Sequence, residues 1–383
     1  MNIVIISSLY KPNIGGVEEA VYNLSKEYKN LGHKVSIITG KWPKNLKSEE
    51  NIDGINVGRI DFVMPNMSIK GIFNFLFRFF KVFSEFKNKV ISKKPDILHI
   101  QCAGPNAFYT LLLSYFHKIP LVVTIQGADI QQLPSESKLM RWTLSRLLKR
   151  ADFITACSQS LIDKDVKKFI SSNNKKTLAI YNGVNLKEFN DKDSYSHRRP
   201  YIFSIGRFVY KKGFDILIKA FSFIADKIGD VDLIIAGDGP EKKKYENLIK
   251  ELNLNERIHL IGYSDRKKTV RLFNGCEFFV LPSRKEPQGI VNLEAMSASK
   301  AIIATSVDGV PELVKDNFNG LLVESENPEK LANKIELLLK DKKLQLSLGH
   351  NGREIVEDRF SWAKIADDYL DVYKTVLNKN EKN

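Results

Sequence analysis

Cysteine is scarce. The chain has only Cys102, Cys157 and Cys276 among its 383 residues, far apart and odd in number. That excludes a disulfide framework and makes a reducing compartment the natural one. Histidine is scarce as well: His33, His99, His117, His197, His259 and His350 show no zinc-like spacing, so no structural metal is expected. Long apolar runs are missing. A membrane-spanning helix needs about 20 mostly apolar residues, and the best candidate, Ile69 to Phe86, is interrupted by Lys70, Arg78, Lys81 and Glu85. The apolar start, Met1 to Ile6, has neither a basic leader nor a small-residue cleavage site and reads as a buried strand.

The rest of the composition is that of an ordinary globular chain. Hydrophobic residues make up 43% and charged residues 27%, which excludes intrinsic disorder as the main state. The length suits two or three domains. Charge is uneven: of a formal net +14, residues 1–197 hold 28 Lys and Arg against 17 Asp and Glu, while residues 198–383 hold 31 against 28. A basic excess of this kind attracts polyanions such as nucleic acid, anionic lipid or an acidic acceptor.

The basic residues gather around one aromatic segment. Ile69 to Phe86 carries seven phenylalanines, and Lys70 to Lys94 holds seven basic residues against the single acid Glu85. At helical spacing Ile72, Leu76, Phe79, Phe80, Phe83 and Val90 share a face, and Phe73, Phe75 and Phe77 widen it. A basic helix with exposed aromatics can lie in a membrane interface, so Phe73, Phe77, Arg78, Phe79, Phe80, Lys81 and Phe83 are the expected membrane contacts. The competing reading is a core helix buried by its phenylalanines.

Short apolar runs alternate with helical patterns along both halves. Asn2–Ser8, Lys34–Thr39, Ile97–Gln101, Leu121–Gln126, Phe153–Ala156 and Thr177–Tyr181 read as strands, nearly continuous in apolar residues as parallel strands covered on both faces are. The polar stretch 187–199 breaks the pattern, and alternation restarts at Tyr201. The expectation is an α/β protein of two doubly wound domains facing a central cleft. Residues 1–190 form the first, 191–199 a linker and 200–359 the second, with a final helix over 360–383 packing back on the first.

The second half carries the most specific constellation. Glu286 lies in a loop after a strand and Glu294 inside the next helix, with Gly289 and Ile290 at that helix's first turn, whose N–H groups lack internal partners. Such donors bind sugar hydroxyls or anionic oxygens, and a carboxylate can grip a diol. Gly206-Arg207 ends one strand, and Lys212-Gly213 follows five residues later; Arg through its fork and Lys as a point charge suit a diphosphate. Gly237-Asp238-Gly239-Pro240 ends the next strand as a glycine turn that would let a ligand approach the backbone. In the first half Gly15-Gly16 joins strand to helix without the dinucleotide fingerprint.

Together these segments resemble a retaining glycosyltransferase of family 4 with the GT-B fold. Asn182-Gly183-Val184 and Gly309-Val310-Pro311-Glu312 add to the match, the motifs occur in the family's order, and the resemblance covers nearly the whole chain. It implies a nucleotide-sugar donor on the second domain, with Arg207 and Lys212 on the diphosphate, Glu294 on the ribose, and Glu286 on donor-sugar hydroxyls. Gly206, Gly237, Tyr263, Gly289 and Ile290 would complete that site, with Gly15 and Gly16 against the phosphates from the first domain. It further implies no cofactor or metal, since Arg207 and Lys212 stabilise the leaving group. The implied acceptor is a glycolipid or polysaccharide, on a cytoplasmic protein peripheral to the inner membrane face.

Two departures stand out: Gln126 occupies the position where the family usually has a catalytic-site His, and Gln288 replaces a usually aromatic or apolar residue. Gln126 is taken as a site residue that still donates and accepts a hydrogen bond but cannot become cationic. Alternatives are an epimerase or phosphorylase on the same architecture, or a non-enzymatic polyanion binder. Nucleic acid is not expected, because the phenylalanines follow a helical period rather than a stacking sheet face.

Overall fold

The computed structural model describes all residues except Ile14, 66–68, 171–175, Lys192 and 381–383, together with the side chains of Ile69, Lys70, Ile72, Glu136 and Asn380. The apolar runs form two sheets in two separate units. One unit comprises Met1–Asn182 with Trp362–Asn383, and the other Gly183–Ser361.

In the first unit the strands are β1 (Asn2–Ser7), β2 (Lys34–Gly40), β3 (Glu49–Ile52), β4 (Ile55–Ile60), β5 (Ile97–Gln101), β6 (Leu121–Ile125), β7 (Phe153–Ala156) and β8 (Thr177–Ala179). Their order is β3-β4-β2-β1-β5-β6-β7-β8, parallel except for the β3–β4 pair. Alternate residues of β1 enter different cores, which explains why the run must be apolar throughout. Val4 and Ile6 join the core that contains Val82, Phe86 and Val90 of helix α2 (Ile69–Ile91) and Tyr109 and Leu113 of α3 (Pro105–Phe116). Ile3 and Ile5 join the core built with Ala20, Val21 and Leu24 of α1 (Gly16–Asn30).

The second unit contributes α4 (Phe214–Ser222), α5 (Arg266–Gly275) and α6 (Ile290–Ser297) around its sheet, and α7 (Trp362–Asn380) follows it in the chain. Helix α7 belongs to the first unit: Trp362, Ile365, Ala366, Tyr369 and Tyr373 are buried in the same core as α1. Its inner face is partly polar. Tyr373 Oη lies 2.6 Å from His99 Nδ1 and 3.1 Å from Tyr28 Oη, and His99 Nε2 lies 2.7 Å from Thr124 Oγ1. Complete burial lowers the His99 pKa to about 3, so this imidazole is a neutral structural group.

The second sheet contains β9 (Tyr201–Ile205), β10 (Asp232–Ala236), β11 (Ile258–Leu260), β12 (Phe279–Leu281), β13 (Ile302–Thr305) and β14 (Leu321–Val323), all parallel in the order β11-β10-β9-β12-β13-β14. The order reverses beside β9, so the carboxyl ends of β9 and β12 form the crevice where open α/β sheets bind ligands.

The expected linker at 191–199 is placed differently. The division between units falls at Asn182/Gly183, and the later segment is tied along the second unit. Tyr195 N–H donates to the Arg271 carbonyl at 2.9 Å, and Asn274 Nδ2 donates to the Asp191 carbonyl at 2.7 Å. The polar composition that suggested a linker is that of a solvated surface strap. Where the chain enters and leaves the second unit, Val184 N–H donates to the Phe360 carbonyl at 2.9 Å.

Candidate functional site

The loop after β9 carries the densest positive charge of the crevice. Arg207 is exposed, and among the described residues its guanidinium has no carboxylate partner. Lys212 Nζ sits 2.5 Å from Glu286 Oε2. Lys211 was not singled out by the sequence. Desolvation of its ammonium group, followed by the charge on Lys212, holds its pKa below the ordinary lysine value, with Arg207 and Lys285 acting in the same direction. Four cations therefore crowd the ends of β9 and β12 with Glu286 the carboxylate paired into them. Such a site is electropositive and suited to a multivalent anion.

Arg284 fixes this loop pair. Its guanidinium makes two 2.8 Å bonds to the Asp215 carboxylate on α4, its Nη1 donates to the Tyr210 carbonyl at 2.8 Å, and its backbone N–H donates to the Lys211 carbonyl at 2.8 Å. Glu286 is buried, and beyond Lys212 it receives Ser283 Oγ at 3.2 Å, while its backbone N–H reaches Asp308 Oδ2 at 3.0 Å. Lys212 and Glu286, assigned separately by sequence to phosphate and sugar, are thus one coupled pair.

Gly289 caps α6 with φ +85°, the left-handed conformation that turns the chain from the Glu286 loop into the helix. The first-turn N–H groups from Ile290 onward face the same crevice end and carry the positive end of the helix dipole. Glu294, on the next turn, is bonded to Arg266 at the start of α5. Tyr263, in the loop before α5, is 62% exposed and available as a stacking surface.

The glycine turn has a different explanation from the expected one. A side chain at Gly237, whose φ is +143°, would place its Cβ 1.9 Å from the Gly206 carbonyl oxygen. Gly237 therefore serves the close packing of two loops, as does Gly239 against the Phe208 backbone, and the loops are locked by the 2.8 Å bond from Phe208 N–H to the Asp238 carbonyl.

In the first unit the candidate residues are arranged otherwise. The Glu18 carboxylate folds over Gly15 at the start of α1, close enough that any side chain at Gly15 would strike it, and burial raises its pKa. Gly15 is thus already faced by an internal carboxylate, while Gly16 is exposed. At the end of β6, Gln126 Nε2 donates to Gln101 Oε1 at 2.9 Å and to Asn182 Oδ1 at 3.3 Å, and Asn182 Nδ2 returns a 3.0 Å bond to Gln126 Oε1. Both amide hydrogens are used within the unit, so Gln126 retains acceptor capacity but not the donor capacity expected of it. Asp129 holds this corner: its carboxylate accepts from the N–H groups of Gln126, Gly127 and Ala103 at 2.8–3.2 Å, and burial raises its pKa to about 6.

Helix α2 divides its aromatics. Phe79 and Phe83, expected at a membrane, pack with Phe75 on the core beside Phe108 and Tyr109. The reason is periodicity: they lie on the same side as Val82, Phe86 and Val90. Phe73, Phe77 and Phe80 are exposed, Phe77 at 89%, as are Leu76 and Lys81; Arg78 pairs with Asp61 at 2.7 Å. No helix among the described residues is long and apolar enough to cross a membrane.

Far from this crevice, at the amino ends of β9 and β10, the fold brings together His197, Asp232 and His259. Both imidazoles approach Asp232 Oδ2, at 2.8 and 3.1 Å, while Arg199 and Arg257 lie 3.3 and 3.4 Å from Oδ1 and Arg198 4.0 Å from Oδ2. The guanidinium groups already balance the carboxylate and would repel a divalent ion, so the trio reads as an ion cluster closing the sheet edge.

Comparison with known proteins agrees with this layout. Residues 14–188 match the family described as Glycosyltransferase Family 4, and residues 187–355 that described as Glycosyl transferases group 1. An uncharacterized glycosyltransferase of Methanocaldococcus jannaschii is 33% identical over 373 residues, covering 97% of each chain. Among solved structures, sucrose-phosphate synthase from Thermosynechococcus elongatus superposes with a TM-score of 0.82 at 22% identity, over 98% of this chain and 99% of that one. Anabaena HepE, solved in complex with UDP and glucose, superposes with a TM-score of 0.78 at 21% identity, over 98% of this chain and 99% of that one.

Proposed function

Because the chain belongs to glycosyltransferase family 4 and has the GT-B fold, we propose that it moves a hexosyl group, with retention, from a UDP- or GDP-sugar to a glycolipid or polysaccharide acceptor at an anionic membrane surface. The observation that carries the donor assignment is the cation cluster of Arg207, Lys211, Lys212 and Lys285 beside the start of α6.

The chemistry follows from charge. Breaking the anomeric C–O bond releases a nucleoside diphosphate, and negative charge builds on its oxygens in the transition state. Arg207, Lys212 and the α6 amides are fixed dipoles and cations aimed at that charge, which supplies the stabilisation without a metal or cofactor. The Lys212–Glu286 pair places a carboxylate for sugar hydroxyls next to a phosphate cation, so the sugar and its leaving group are gripped together. Glu294 takes the ribose.

Titration calorimetry with chelator present tests the donor assignment. The panel is UDP-glucose, UDP-galactose, UDP-N-acetylglucosamine and GDP-mannose, on the wild type and on Arg207→Ala. Binding of one donor, weakened in the variant, supports the reading; equal binding to the variant removes Arg207 from the site. The membrane part rests on the exposed Phe73, Phe77 and Phe80 beside Lys81. Replacing the three phenylalanines with Asp is expected to release the protein from anionic vesicles, and unchanged co-sedimentation sinks that part alone.

A further inference from the structure

Helix α5 begins with Arg266, Lys267 and Lys268, and no acid stands in its first turn. Cations there oppose the helix dipole. Asp265, the N-cap, offsets part of this by accepting the Lys268 N–H at 2.8 Å. Arg266 escapes the conflict by turning its guanidinium away to two carboxylates. Its Nη1 bonds Glu294 Oε1, and its Nε bonds Glu188 Oε2 at 2.5 Å. Glu188 is itself held, since its Oε1 accepts from Asn185 Nδ2 at 2.9 Å. The guanidinium also lies 5.3 Å from the Phe189 ring centroid.

We infer that Arg266 is a positioning residue for the donor's ribose, fixing the Glu294 carboxylate so that its open oxygen accepts the ribose hydroxyls of a nucleoside diphosphate. The inference rests on the proposed function, which gives Glu294 the ribose. Glu294 is anchored through Oε1, and among the described residues Oε2 has no partner. A glutamate on a helix has three rotatable bonds, and freezing them in advance removes an ordering cost that ligand binding would otherwise bear. A planar guanidinium bonded at two sites fixes direction as well as charge, which a lysine ammonium does not. The Asn185–Glu188–Arg266–Glu294 chain therefore carries rigidity from the segment that enters the second unit to the ribose carboxylate.

Calorimetry with UDP and GDP, each compared with its 2′-deoxy form, reads this directly. The wild type is expected to prefer the ribose form, and Glu294→Ala to lose that preference. Arg266→Met should weaken ribonucleotide binding about tenfold and bring the ribo/deoxy ratio close to the Glu294→Ala value. Arg266→Lys should restore part of the ratio, and Glu188→Gln should shift it the same way by a smaller factor. The Arg266→Met/Glu294→Ala double variant should bind no worse than Glu294→Ala, because both act through one contact.

Glu188→Gln keeps the question open to measurement if Arg266→Met fails to fold. A wild-type ratio in both Arg266→Met and Glu188→Gln, with Glu294→Ala still defective, overturns the positioning role and leaves the ribose assignment standing. An undiminished ratio in Glu294→Ala overturns the ribose assignment and this inference with it.

Discussion

The carboxyl ends of the two sheets treat their polar groups in opposite ways. In the first unit the candidate residues are mostly paired internally: Gln126 is bonded to Gln101 and Asn182, Asp129 accepts three backbone amides, and Glu18 lies against Gly15, while Gln101 Nε2 is left buried without a partner. In the second unit Arg207 is exposed, Glu294 keeps an open oxygen, and the α6 start has no side-chain cap. Closed networks give rigidity, and open ones give binding. Much of the basic excess of the first half lies around α2, where Lys70 to Lys94 holds seven basic residues against the single acid Glu85. The cluster of Arg207, Lys211, Lys212 and Lys285 is in the half whose net charge is the smaller, 31 Lys and Arg against 28 Asp and Glu.

The sharpest way to break this contrast is to remove an open cation. Arg207→Ala is expected to lower kcat by about 100- to 1,000-fold, with a melting temperature that stays near the wild-type value because the side chain is exposed. A variant that melts early while keeping its kcat would reverse the contrast. Next in size is the pH dependence of the first unit. Asp129 titrates at about 6 in the folded state against an ordinary 3.8. Its protonated form is the one the fold favours. The stability it contributes is therefore fully present below the ordinary value and is lost as pH rises through about 6, a change of about 3 kcal/mol. Unfolding followed from pH 4 to 7 should show this slope in the wild type and not in Asp129→Asn.

Tyr373→Phe should cost about 1–3 kcal/mol, since it leaves His99 Nδ1 and the Tyr28 hydroxyl without a buried partner. Calorimetric melting should move while kcat stays put. The smallest expected effect is on Gln126→Leu, where activity should fall less than about tenfold, because the amide's donors already serve the unit. A loss beyond about 100-fold at unchanged stability would put Gln126 among the groups that touch substrate and end the contrast on the first-unit side.

Most strands of both cores were legible because parallel strands covered on both faces must be largely apolar, as β1 and β10 are, although β4 and β14 were missed. The β3 strand was not legible, since Glu49–Ile52 is an exposed edge with no apolar run. Helix α3 was also missed: its residues are apolar almost all round, so no amphipathic period marks it. In α2 phenylalanines occupy several faces, which hid the side that packs; only contacts with Phe108 and Tyr109 separate Phe79 from Phe80. The candidate residues stand in readable motifs, but their pairing was not readable. Lys212 and Glu286 are 74 residues apart, and Arg266 and Glu188 are 78 apart, distances over which only the folded sheet determines who meets whom. The glycines of the turn after β10 were readable as special positions, yet what they accommodate is the protein's own backbone.

The placement of α7 has a consequence for biosynthesis. The second unit is one continuous stretch, Gly183–Ser361, whereas the first needs both its amino-terminal strands and the last helix made. On the ribosome the half that is translated first is therefore completed last. Until Trp362–Asn380 emerges, Ile5, Ile97, Val122 and the Tyr28 hydroxyl lack the helix that shares their core. Exposed apolar sheet of that kind invites aggregation. A newborn chain that stalls after the second unit is thus a finished domain attached to a sticky, unfinished one, and its last nineteen helical residues act as the closing stitch of its first fold.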